Sequence, residues 1–274
     1  MKAIGMIVPT VDNSFFSGLV KRAERCLRTS GYQLLVMSSD NDAENEKNAY
    51  GVLQELQVEG ILSVSGLSVF PKDLVREDMP LVWLDRVPES ERKIPWVSND
   101  DENAMELATD ALIEKGCNDI LLMPGYLAEG QESPRVKGYR SALEKHNLPY
   151  REEYVLNRRG EASSEAETEE LVRNHLHNGN KVDGIITSSD RAAFGAMAAL
   201  RSVGYYVPED VKLISFDNSP YSTMVTPAVT ALDRNAEALA EKACELLLKQ
   251  ICKDPDDTIE NTIPVSLVRR DSIR

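Results

Sequence analysis

Short, continuous apolar runs alternate with longer amphipathic stretches along almost the whole chain, and the alternation starts over near its middle. This pattern limits the fold more than any other feature. A run such as Ala3–Val8 has no polar alternation, so both faces of that strand must be covered. The segments between runs carry apolar residues at helical spacing. In the first, Leu19, Ala23, Cys26 and Leu27 recur over Phe15–Ser30, and Gly31 ends the helix. Strand–helix alternation of this kind predicts an α/β chain with parallel sheets covered by helices.

The pass along the chain predicts strands at Gln33–Met37, Gly60–Val64, Leu81–Leu84 and Trp96–Ser98. It predicts helices at Asp42–Gln57 and Asn103–Lys115, with a short one near Pro71–Arg76. The second series has strands at Asp119–Met123, weakly at Val155–Leu156, at Gly184–Thr187, at Lys212–Phe216 and, last, at Ile263–Val268. Its helices are Arg135–His146, opened by Ser133-Pro134, then Ser164–His177, Ser189–Val203 and Asn235–Cys252. Val58-Glu59-Gly60-Ile61-Leu62 returns as Val182-Asp183-Gly184-Ile185-Ile186, each time between a helix and a polar loop. Two similar α/β halves are expected, in keeping with a length of 274 residues.

A formal charge of −14 makes this chain by itself a poor ligand for nucleic acid, because that affinity comes from Lys and Arg neutralising phosphates. Cys26, Cys117, Cys244 and Cys252 have no C-x-x-C spacing and read as reduced thiols. No secretory signal and no apolar run near ~18 residues is present, so the expected compartment is the cytoplasm and no membrane partner is expected. No dinucleotide, P-loop or nucleophile-elbow motif occurs. The histidines are His146, His175 and His177, and the last two point apart on one helix. Neither a metal, a cofactor nor a catalytic group is expected.

In open parallel sheets a ligand sits beyond the carboxyl ends of the strands. Those ends read Thr10-Val11-Asp12-Asn13, Ser38-Ser39-Asp40, Asp85-Arg86 and Asn99-Asp100-Asp101. The second half adds Arg135, Ser188-Ser189-Asp190 and Asp217-Asn218. Carboxylates, amides and guanidinium groups suit a hydroxyl-rich molecule, although Asp, Asn and Ser also form turns. Phe15 and Phe16 open a helix after a polar loop, and one ring is expected to face a ligand, since adjacent helical residues do not share a face.

Over essentially its whole length the sequence resembles the lactose-repressor (LacI/GalR) family. The resemblance rests on several phrases in order: Ile4-Gly5-Met6-Ile7-Val8-Pro9 with Asn13-Ser14-Phe15-Phe16, Val58 to Leu62, Leu84-Asp85-Arg86, and Arg135-Val136-Lys137-Gly138-Tyr139. It continues through Ser189-Asp190 with Ala193 and Gly195, Val207-Pro208-Glu209-Asp210-Val211, Phe216-Asp217-Asn218, and Leu267-Val268-Arg269-Arg270-Asp271-Ser272. It implies two doubly wound, periplasmic-binding-protein-like lobes joined by three crossovers: 1–116 plus 235–261, and 117–234 plus 262–274.

The resemblance also implies a homodimer whose lobes hold a small effector between them, a sugar, sugar phosphate or nucleobase-like molecule. Operator DNA would be read through a helix-turn-helix headpiece missing from this chain, which opens at the first core strand. Removal of that headpiece is the favoured expectation over its absence from the gene. The implied effector contacts are Phe15, Phe16, Asp100 or Asp101, Arg135, Ser189 or Asp190, and Asp217; Asn13, at a strand end, and Arg159 are further candidates from this chain's own residues. Three departures from the family pattern stand out: Ser189-Asp190 for Asn-Asp, Asp100-Asp101 for Asp-Asn, and Arg158-Arg159 where an aromatic often stacks. The last raises the hypothesis of an anionic effector. A stand-alone sugar-binding transport protein and a carboxylate-using α/β enzyme are the two rivals.

Overall fold

The computed structural model describes residues 2–125, 133–157, 164–254 and 258–274. The chain begins with β1 (Ala3–Val8), α1 (Ser14–Thr29), β2 (Gln33–Ser38), α2 (Ala43–Glu55), β3 (Ile61–Ser63), β4 (Leu81–Leu84) and β5 (Trp96–Asn99). It continues through α3 (Asp101–Ile113), β6 (Ile120–Met123), α4 (Pro134–Lys145), α5 (Ser164–His177), β7 (Gly184–Thr187), α6 (Asp190–Ser202), β8 (Lys212–Phe216) and β9 (Thr230–Asp233). It closes with α7 (Ala236–Ile251), β10 (Glu260–Ile263) and β11 (Ser266–Val268).

These elements form two units. Among the described residues, one unit takes 2–99 with 235–264, and the other takes 100–234 with 265–274. The first holds a six-stranded sheet in the order β10-β5-β4-β3-β1-β2, parallel throughout. Every residue of β1 is buried, as its unbroken apolar run requires. One face is covered by α1 and α7, whose Leu19, Ala23, Leu27, Leu239, Ala243 and Leu247 pack with Ile4 and Met6. The other face carries Tyr50, Leu53, Phe70 and Trp83.

The second unit has a five-stranded sheet, β11-β9-β8-β7-β6, in which only β11 is antiparallel. Its fold repeats that of the first. β6 stands for β1 and α4 for α1. Val155 bridges Leu122 in parallel, where β2 pairs with β1 in the other unit. The phrase shared by residues 58–62 and 182–186 opens β3 and β7, and each of these strands lies between the first strand of its unit and the next.

Four expectations need correction. Residues 71–76 form turns and not a helix; Pro71, Asp73 and the early chain reversal favour turns over a helical nucleus. The expected strand Ile263–Val268 is two strands in two sheets, because Pro264 lacks the N–H that would continue a ladder. The boundary after residue 261 accordingly moves to after 264. The boundary at 116 also moves, because α3 belongs to the second unit: Ala104, Met105, Ala108 and Leu112 pack there with Tyr139 and Leu143 of α4. Strand β9 was not anticipated, since Thr230–Asp233 is too short to stand out.

Candidate functional site

Much of the polar character at the strand ends is spent on capping helices. Asn13 Oδ1 accepts from the Phe15 N–H at 2.8 Å, and Asp42 and Asp100 cap α2 and α3 at 2.7 and 3.0 Å. Ser189 caps α6 and Asn235 caps α7, at 3.2 and 3.1 Å. A parallel strand followed by a helix needs an N-cap acceptor just beyond the strand. Asn13, Asp100 and Ser189 are therefore explained locally, before any ligand is considered.

In the first unit, Phe15 and Phe16 are both buried, with ring centroids 5.4 Å apart in an edge-to-face contact. Adjacent in sequence, the two rings nevertheless share one apolar environment. The first turn of α1 lies against the core, and both rings join Leu19 and Met6 there. Phe16 marks the rim of that cluster, because the Arg86 guanidinium lies 5.5 Å from its centroid. Arg86 also donates to Asn41 Oδ1 at 2.9 Å. Beside it lies Glu46, 1% exposed, which accepts from the Ser65 hydroxyl at 2.5 Å and the Gly66 N–H at 2.7 Å. Burial pushes the Glu46 carboxyl above its ordinary pKa, and its hydrogen bonds and the Arg86 charge pull the other way.

The second unit brings the expected residues closer together. Arg135, in the first turn of α4, donates from Nε to Asp101 Oδ2 at 2.8 Å and from Nη1 to the Pro124 carbonyl at 3.1 Å. Its guanidinium lies 4.1 Å from the centre of the Phe216 ring, which ends β8. The contact depends on helix packing. A Cβ on Gly138 would sit 2.0 Å from the Glu102 carbonyl oxygen, so only glycine lets α4 approach α3 this closely. Gly125, with φ of +90°, makes the matching close approach to Ser188 after β6.

Asp217 and Asn218 follow β8 in consecutive left-handed conformations, with φ of 89° and 50°. Asp217 lies 3.6 Å from Arg234, and both side chains are 5% exposed. Asp190 faces the interior of the unit instead: it accepts from the Ser215 hydroxyl and from the Ser219 N–H at 2.6 Å, and burial raises its pKa. Asp190 thereby helps to fix the turn after β8. Arg159, with Arg158, lies outside the described residues.

The structure thus gathers Asp101, Arg135 and Phe216 into one group and pairs Asp217 with Arg234. Phe216 and Arg234 were not singled out as site residues. A buried aromatic ending a strand carries no local mark of function, and Arg234 gains its partner only across the sheet. Chemically, the group combines carboxylate acceptors with a guanidinium fork held in place by a carboxylate and a buried ring, which suits a polyhydroxylated ligand. Among the described residues, no three His, Cys, Asp or Glu side chains are placed to hold a metal ion, and no helix is long and apolar enough to cross a membrane.

Residues 109–273 match the model of the periplasmic binding protein-like domain family. The chain is 29% identical to the ribose operon repressor of Halalkalibacterium halodurans, a match covering 99% of this chain and 79% of that protein. It is 28% identical to the catabolite control protein A of Priestia megaterium, over 99% of this chain and 81% of that one. Among solved structures, a periplasmic binding protein/LacI transcriptional regulator from Alkaliphilus metalliredigens complexed with D-xylulofuranose superposes with a TM-score of 0.85. It is 29% identical, and the match covers 99% of both chains.

Proposed function

We propose that this chain, which belongs to the periplasmic binding protein-like domain family, serves a LacI-type transcription regulator and senses a sugar of about pentose size through its strand-end side chains. The observation that carries this reading is the Asp101–Arg135–Phe216 group, in which a guanidinium is fixed by a carboxylate and backed by an aromatic ring. Asp217, presented on its left-handed turn, supplies a second carboxylate. The relatives add the ligand class, because one is named for the ribose operon and a solved neighbour holds D-xylulofuranose. The first is named a repressor and the second a transcriptional regulator, which favours regulation over the transport-protein alternative.

The sugar acts by population shift: it stabilises whichever conformation it binds better, by as much as the two affinities differ. In this reading the protein works as a cytoplasmic homodimer and catalyses no reaction. Operator DNA is contacted through a headpiece that these 274 residues do not contain, since a net charge of −14 suits no phosphate backbone.

Isothermal titration calorimetry with D-ribose, D-xylulose and D-ribose 5-phosphate tests the proposal, on the wild type and on Arg135→Ala. One sugar is expected to bind the wild type, and the variant is expected to lose at least about tenfold in affinity, the value of one charge-assisted hydrogen bond. An Arg135→Ala variant that binds as tightly as the wild type would refute the assigned site. The phosphorylated sugar separates an anionic from a neutral effector.

A further inference from the structure

The C-terminal phrase Arg269-Arg270-Asp271-Ser272 has so far been given no function, yet its side chains meet the turn that carries Asp217. Arg270 Nη2 donates to Asn218 Oδ1, and Nη1 donates to the Val229 carbonyl at 2.6 Å and to the Ser222 hydroxyl at 3.2 Å. One guanidinium therefore ties the second residue of the left-handed turn to both ends of the loop that follows it. The other end of the Asn218 amide donates to Asp233 Oδ2 at 3.0 Å. Arg270 is itself anchored: its N–H donates to Thr230 Oγ1 at 2.8 Å. Ser272, with its hydroxyl on the Leu213 carbonyl at 2.6 Å, accepts from the Thr230 N–H at 2.8 Å.

Two non-glycine residues in succession at positive φ cost conformational energy, and such a turn persists only where its surroundings over-determine it. Asp190 holds the far side through Ser219, and Leu232 accepts the Asp217 N–H at 3.0 Å. The Asn218 side chain needs a partner on both of its polar ends, and the donor for one of them is Arg270. A lysine at this position could not reach three acceptors in a fixed fork.

We infer that Arg270 is a positioning residue for the proposed effector site: it holds the Asp217–Asn218 turn so that the Asp217 carboxylate is presented in one geometry. The inference rests on the reading of Asp217 as an effector contact, and the experiment separates the two. Hydrogen exchange of the full chain follows the amides of Asp217, Ser219 and Ser222 in the wild type and in Arg270→Gln and Arg270→Lys. The amides of Ala192 and Ala193 on α6 serve as reference. Arg270→Gln is expected to speed exchange at the turn by at least about tenfold with the α6 amides unchanged, and Arg270→Lys to restore only part of the protection. Turn amides that exchange at the wild-type rate, or that speed up only together with α6, overturn the proposal. This arm needs no ligand. A second arm measures D-ribose affinity in Arg270→Gln and Asp217→Asn. Loss in both supports positioning. Loss in Asp217→Asn alone overturns positioning but spares the site. Wild-type affinity in Asp217→Asn removes Asp217 from the site and overturns Arg270 as an effector-positioning residue, while the exchange arm still reports separately whether Arg270 holds the turn.

Discussion

Replacing Gly138 by alanine tests the claim that the Arg135 group depends on the close approach of two helices. The new Cβ would lie 2.0 Å from the Glu102 carbonyl oxygen and 3.1 Å from Met105 Cβ, whereas real Cβ atoms essentially never come within 3.0 Å of such a neighbour. The obstacle is backbone, which no side-chain rotation relieves. The helices must part by about 1 Å, and a gap of that size forfeits a quarter to a half of the dispersion energy across it. Overpacking of a tight contact costs about 1–3 kcal/mol, against a gain of up to ~1 kcal/mol from the better helix propensity of alanine. A net loss of about 1–2 kcal/mol is expected, or roughly 2–8 °C in melting temperature. The same movement lengthens the 2.8 Å contact from Arg135 to Asp101, so sugar affinity should fall with stability. Gly51 on α2 is the control, because nothing lies within 4 Å of its Cβ position. Gly51→Ala should raise stability by up to ~1 kcal/mol and leave binding alone. Calorimetric melting and sugar titration of both variants decide the matter. If Gly138→Ala melts at or above the wild type, the packing account is wrong.

Other consequences can be measured. Burial lowers the pKa of His175, so the unfolded chain takes a proton below about pH 6.5 that the fold resists, and stability declines as pH falls through that range. His175→Gln should remove this decline; a stability gap to the wild type that stays constant from pH 8 to 5 would contradict it. Glu46 shifts the other way: its raised carboxyl favours the fold at low pH, and that contribution is lost as pH rises from about 4.5 through its folded value. Glu46→Gln should flatten the stability profile there, as followed by urea denaturation. Arg234→Met removes the positive charge 3.6 Å from the buried Asp217 carboxylate and should destabilise the fold, with Asp217→Asn in the same chain recovering part of the loss. Additive losses in that double variant would show that the two do not act as a pair.

The α/β class was legible because a strand covered on both faces must read as an unbroken apolar run, as β1 does. The repeat of residues 58–62 at 182–186 likewise announced two similar units, and it opens equivalent strands in both sheets. The polar strand ends were legible as positions but ambiguous as roles. Asn13, Asp100 and Ser189 cap helices, and Asp190 faces inward, although each stands in the same kind of loop as Asp101 and Asp217. Local sequence reports that a polar group follows a strand; it does not report which way that group points.

Chain order and residue type thus account for most of the strands and helices, since those choices follow from spacing within a few residues, but not for the short β9 or the turns at 71–76. Allegiance to one sheet or the other does not: α3 joins the second unit, and one apolar stretch is divided by Pro264 between two sheets. Nor do the partnerships of Arg135 with Asp101 and of Arg270 with Asn218, which span 34 and 52 residues. Such pairs exist only once packing has closed the distance, and a glycine placed where a carbonyl must pass is the small local trace that they leave.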